Sequence, residues 1–77
     1  MSSETLVHKT EVELLGDRYT IVIFLRGDGR YTATTCFTDE DIIMNDGDSI
    51  EEALHKHEQL LPLAVSSRKM RRDSLHL

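Results

Sequence analysis

Carboxylates are the most numerous side chains able to do chemistry in this 77-residue chain, and they cluster. The stretch 38–48 reads TDEDIIMNDGD and holds Asp39, Glu40, Asp41, Asp46 and Asp48. Such a group suits either a hard cation or a basic protein. A calcium loop of the EF-hand kind needs glycine five residues after its first Asp. Counting back five from Gly47 reaches Ile42, and from Gly29 reaches Phe24, so no metal is assigned. The reading taken is a solvated acidic surface that contacts a basic partner protein. His55 and His57 stand two apart, which on a helix separates them by roughly 200° and keeps them from sharing one ion. His57 falls on an apolar stripe and reads as a packed imidazole. Cys36 has no Cys-x-x-Cys partner and reads as a buried, inert thiol. Gly27 and Gly29 precede a strand instead of opening a helix, which excludes the dinucleotide fingerprint. Arg26-Gly27-Asp28 reads as a hairpin loop. The chain is therefore expected to be non-enzymatic, with no cofactor and no metal.

The net charge of −5 divides unevenly. Residues 1–67 hold thirteen acids against five bases, a balance of −8, and residues 68–77 hold Arg68, Lys69, Arg71 and Arg72 against Asp73, a balance of +3. The expectation is one domain over 1–67 followed by a basic, flexible tail over 68–77. The acidic body is repelled by phosphates and drawn to basic proteins. The tail offers the alternative function, nucleic-acid contact through Arg68, Lys69, Arg71 and Arg72. No aromatic side chain interleaves those cations, so base stacking is not expected. No apolar run approaches the ~18–20 residues that span a bilayer, and the N-terminus lacks the basic start and apolar stretch of a signal peptide. With its single cysteine, the chain is expected in a reducing, cytoplasmic setting.

The elements that must position these groups are an antiparallel sheet and one helix. Thr10, Val12 and Leu14 alternate with charged residues, predicting a half-buried strand over 6–15. Gly16-Asp17 signals a turn, and a stronger strand follows over 18–26, RYTIVIFLR, rich in β-branched and aromatic residues. A third runs over 30–38. Parity favours a three-residue loop, 27–29, between these two. That register sets Leu25 against Tyr31, Ile23 against Ala33, Ile21 against Thr35 and Tyr19 against Phe37, and it puts Gly29 where a left-handed residue is wanted. The acidic stretch reads as a loop containing a brief strand. Ser49 and Glu52 then form a capping box with Glu51 and Glu52 in the first helical turn. Ile50, Ala53, Leu54, His57, Leu60 and Leu61 make the helix stripe, Pro62 is expected to end it, and Leu63–Val65 is read as an added edge strand. The fold class is α+β: a three- to four-stranded antiparallel sheet with one helix packed on one face, in a β-β-β-α-β-like order. The helix should cover the Tyr19/Ile21/Ile23/Leu25 face. Val22 and Phe24 then lie on a poorly covered face, which is the expected homodimer contact.

Two blocks carry a family resemblance. Gly27-Asp28-Gly29-Arg30-Tyr31-Thr32-Ala33 resembles the strand-turn-strand of HicB-like antitoxins, and Gly47-Asp48-Ser49-Ile50-Glu51-Glu52-Ala53-Leu54 resembles that family's glycine, cap and Glu-Glu-Ala helix start. The resemblance spans about residues 19–65. It departs at Cys36–Asp41, where the family has a Pro-Asp-Leu-Pro-Gly-like segment, and the residues after the domain are too few for the family's DNA-binding region. The resemblance implies a partial RNase H-like domain that binds a small basic ribonuclease toxin, as part of a toxin–antitoxin system.

Overall fold

The computed structural model describes the backbone of residues 4–74 and the side chains of residues 4–71. Strands β1 (Thr5–Leu14), β2 (Asp17–Leu25), β3 (Tyr31–Thr38) and β4 (Asp41–Gly47) form one antiparallel sheet in the order β1-β2-β3-β4. Helix α1 (Ile50–Ser74) lies across one face. This is the expected α+β architecture, reached with four strands before the helix.

Each hairpin follows from local chemistry. The first closes through Leu15-Gly16, one residue earlier than the turn read from the sequence, because Leu14 pairs with Asp17. Both loop residues have positive φ, 52° and 87°, the pattern of a type I′ turn whose twist matches the flanking strands. Leucine is strained there, at about 1–2 kcal/mol. The second hairpin has the expected three-residue loop: Leu25 pairs with Tyr31 and Ile23 with Ala33. Arg26 N–H donates to Arg30 O at 2.8 Å, and Gly29 takes φ 85°. The third turns at Asp39-Glu40 between Thr38 and Asp41. What read as a loop with a brief strand is a full seven-residue strand, β4. Its pairing with β3 comes from tertiary register, which outweighs the weak strand tendency of its Asn and Asp residues.

The core is thin. Ile21, Ile23 and Ala33 rise from the sheet to meet Ala53, Leu61 and Val65 of α1, all at 0–1% exposure. The helix seam is Ala53, His57, Leu61 and Val65, a strict four-residue spacing, with Ile50 and Leu54 packed beside it. Leu60, placed on the stripe by periodicity, is 40% exposed. Ser49 caps the helix as expected, its Oγ accepting from Glu52 N–H at 3.0 Å, while Glu52 Oε1 accepts from Asp48 N–H at 3.2 Å. Gly47 is where helix and sheet come closest. A Cβ there would lie 2.5 Å from Ala53 N and 2.9 Å from Ala53 Cα.

The helix does not stop at Pro62. It runs on to Ser74, so Leu63–Val65 is helical and adds no edge strand. Proline in a helix interior removes one hydrogen bond and costs ~3 kcal/mol. Contacts beyond it offset that cost: Val65 is buried in the core, and Arg68 and Lys69 reach carboxylates of the sheet. Residues 68–74, expected as the start of a flexible tail, therefore form the last turns of α1. The β-β-β-α-β-like order expected from the sequence is replaced, among the described residues, by β-β-β-β-α.

Candidate functional site

Among the described residues no helix lies over the second face of the sheet, and the strand register assembles its surface row by row. Leu6, Phe24, Thr32 and Asp46 form one row, and Lys9, Val22, Thr34 and Met44 form the next. Glu11 opposite Thr20, and Cys36 opposite Ile42, follow. Val22 and Phe24, read from the sequence as the less covered pair, lie at its centre and are half-buried by their neighbours. Leu6, Ile42 and Met44 join them at 53%, 44% and 60% exposure. Local sequence did not announce these three, because Leu6 joins the face only through the β1 bulge, and Ile42 and Met44 only through the pairing of β4 with β3. Cys36 also lies here and is exposed, which corrects the buried-thiol reading: it stands on the strand parity opposite to Thr35, away from the helix. Threonines 20, 32 and 34 space the apolar groups. Two depressions of ≈ 760 and ≈ 560 Å³ lie along this side, the larger also lined by Val65, Arg68 and Lys69 of α1.

The five clustered carboxylates do not form one loop. β4 carries Asp41 at one end and Asp46 toward the other, about 17 Å apart at ~3.3 Å per residue, and most of them are already paired. Asp41 accepts two hydrogen bonds from Arg68, at 2.6 and 2.7 Å. The same guanidinium lies 4.2 Å over the Phe37 ring, whose edge contact with Tyr19 spans 5.6 Å, and it also donates to Ala64 O at 2.9 Å. Hydrogen bonding to Arg68 holds the Asp41 carboxyl below the usual carboxylate range, with the Arg71 charge adding to it. The same pairing raises Arg68. Asp46 on the open face accepts from Thr32 Oγ at 2.9 Å and from Arg26 at 3.0 Å, and its pKa is likewise lowered, by the Thr32 bond first. Asp48 stands 3.7 Å from Arg30. Asp39 and Glu40 sit exposed at the β3–β4 tip. Of the basic residues, Lys69 pairs with Asp17 at 2.6 Å and Arg71 is exposed. Arg72 has only its backbone described.

Between sheet and helix runs a buried polar chain that the sequence did not reveal beyond the packed His57. Asn45 Nδ2 donates to Ala53 O at 3.0 Å, which leaves Asn45 Oδ1 as an acceptor. His57 Nδ1 lies 2.6 Å from that oxygen and must carry the proton, so Nε2 is the acceptor for the Thr35 hydroxyl at 2.7 Å. Burial lowers the His57 pKa. The order hydroxyl, imidazole, amide is that of a nucleophile, its base and an orienting group. Here, however, Thr35 and His57 are 1% and 0% exposed beneath α1, so no substrate can reach the hydroxyl. The chain of bonds ties β3 and β4 to the helix. Among the described residues no three His, Cys, Asp or Glu side chains converge as metal ligands, and no helix is long and apolar enough to cross a membrane. No family model, curated protein or solved structure matches this chain.

Proposed function

We propose that this protein is a non-catalytic binding module that works through protein–protein contact. The single observation carrying this reading is the open sheet face, where Leu6, Val22, Phe24, Ile42 and Met44 stand among threonines with no second layer over them among the described residues. An amphipathic sheet is stable when its apolar face is covered, and a broad, shallow, apolar surface takes a protein in preference to a small ligand. The overall charge of −5 favours a basic partner, with Asp39 and Glu40 at the exposed β3–β4 tip as its first electrostatic contact. The narrower form of this reading is an antitoxin-like module that holds a small basic ribonuclease, and it draws on the HicB-like resemblance of residues 27–33 and 47–54. A reducing, cytoplasmic setting goes with it, since the exposed Cys36 thiol would persist there.

The nucleic-acid alternative draws on fewer groups than the sequence promised, because Arg68 and Lys69 are engaged by Asp41 and Asp17. One NMR titration separates the readings. The labelled full chain is titrated with a lysine-rich peptide and, separately, with a single-stranded oligonucleotide. The protein-binding reading expects salt-sensitive shifts at Asp39 and Glu40 with the peptide, and none with the oligonucleotide. Shifts confined to Lys69–Arg71 with the oligonucleotide would overturn it.

A further inference from the structure

The geometry points to a second copy of this chain as the occupant of the open face, packed sheet to sheet about a two-fold axis. The inference rests on reading that face as a contact surface and adds what covers it.

Three features favour a copy of the chain over a foreign protein. The first is charge. Lys9, Arg18 and Arg26 on this side stand against Glu4, Glu11, Glu13 and Asp46, so the face carries only −1 of the chain's −5. A strongly basic or strongly acidic partner finds no single-signed field there, and two copies repel each other least through it. The second is self-complementarity. Lys9 and Glu11 are two residues apart on β1 and point to the same side, in adjacent rows. A two-fold axis crossing the strands between those rows sets Lys9 over Glu11 of the second copy, and the reverse, in one operation. The same axis sets Met44 over Ile42 of the second copy, Val22 against Thr20, and, one row further out, Phe24 and Leu6 against the aliphatic stems of Arg18 and Glu13. Strand directions stay aligned, as face-packed sheets require.

The third feature is area. Four strands about 4.8 Å apart, with the 9 residues of β2 rising ~3.3 Å each, give a face of roughly 19 by 30 Å, and side-chain relief brings it toward the ~800 Å² a standard interface buries per partner. The molecule is only 15 Å through its thinnest direction, with six fully buried apolar side chains among the described residues, so a second layer would supply the core it lacks. Edge-to-edge pairing is the competing geometry. The bulge at Val7 between Leu6 and His8 breaks the regular edge of β1, which disfavours it.

Sedimentation equilibrium on the full chain tests the inference. The expected mass is about 17.6 kDa, twice the 8.8 kDa of the chain. Met44→Glu, at a 60% exposed position that does not contribute to folding the core, should weaken the dimer at least ten-fold while circular dichroism stays unchanged. Lys9→Glu should weaken it too, and Lys9→Glu with Glu11→Lys should restore it. Alkylation of Cys36, the single thiol, should slow as chain concentration rises through the dissociation constant. A monomer at about 0.5 mM, a dimer indifferent to Met44→Glu, or a charge swap that fails to restore association would each overturn the inference. The peptide titration at Asp39 and Glu40 reads the binding-module proposal independently, so the two can fail separately.

Discussion

The buried chain Thr35–His57–Asn45 makes folding stability depend on pH in a window of its own. In the unfolded chain His57 titrates near the ordinary value of 6.5, and in the folded protein burial lowers its pKa. Between the lowered value and 6.5 the unfolded state therefore binds more protons than the native state, and stability rises with pH there. On acidification the contribution is intact above about pH 7.5, begins to fall through 6.5, and stops changing below the folded pKa. One such proton gives a slope of at most ~1.36 kcal/mol per pH unit. Asp41, Asp46 and Glu52, all lowered from ordinary carboxylate values of 3.8–4.5, lose their contributions below that window, in the acid range. Urea unfolding of the wild type and of His57→Leu, from pH 5 to pH 8, isolates the effect. The variant should lose the slope between pH 5 and 7. Thr35→Val, nearly the same shape, should cost about 1–3 kcal/mol at pH 8, because His57 Nε2 is left without a donor at 0% exposure. In a domain of this size that is a fall in Tm of roughly 4–8 °C per kcal/mol. Identical slopes in wild type and His57→Leu, or a Thr35→Val protein as stable as wild type at pH 8, would refute the reasoning.

Three backbone predictions follow from the same structure. Gly47→Ala should destabilise by at least the ~1–3 kcal/mol typical of overpacking, because its Cβ meets the Ala53 backbone at 2.5–2.9 Å and backbone cannot step aside; thermal melts will show it. Leu15→Asn, at an exposed turn position with φ 52°, should raise stability by about 1 kcal/mol, read as a higher urea midpoint with unchanged m-value. Pro62→Ala should stabilise by up to ~3 kcal/mol and slow amide exchange in 59–66, since the helix already runs through that position. A Pro62→Ala protein no more stable than wild type would mean that the helix is interrupted there.

The sheet was legible where each strand declares its own alternation. The apolar parity of Tyr19, Ile21, Ile23 and Leu25 against Tyr31, Ala33 and Phe37, with glycine at position 29, was enough to predict both the loop length and the face the helix would cover. The cap at Ser49 was legible for the same reason, since its partners lie within four residues. β4 was not, because Asp41, Asn45 and Asp46 are poor strand formers whose compensating bonds come from Arg68, the Ala53 carbonyl and Thr32. The stop at Pro62 failed as well. Local strain argued for an end, and contacts 27 and 52 residues distant in sequence held the helix on.

The acidic stretch and the basic cluster show where the division falls. The sequence by itself determined how many charges there are, their signs and their order along the chain, together with the one small α+β domain that has to carry them. Only the tertiary structure decided which of them remain available. Arg68 folded back on Asp41 and Phe37, Lys69 on Asp17, and Arg26 on Asp46, so the acidic body and the basic tail are partly one neutralised surface. The reason is that water and salt screen exposed charges, so that a surface ion pair contributes little unless its partners come close, and which groups approach that closely is set by strand register and by the length of a helix, both of which are long-range outcomes of packing.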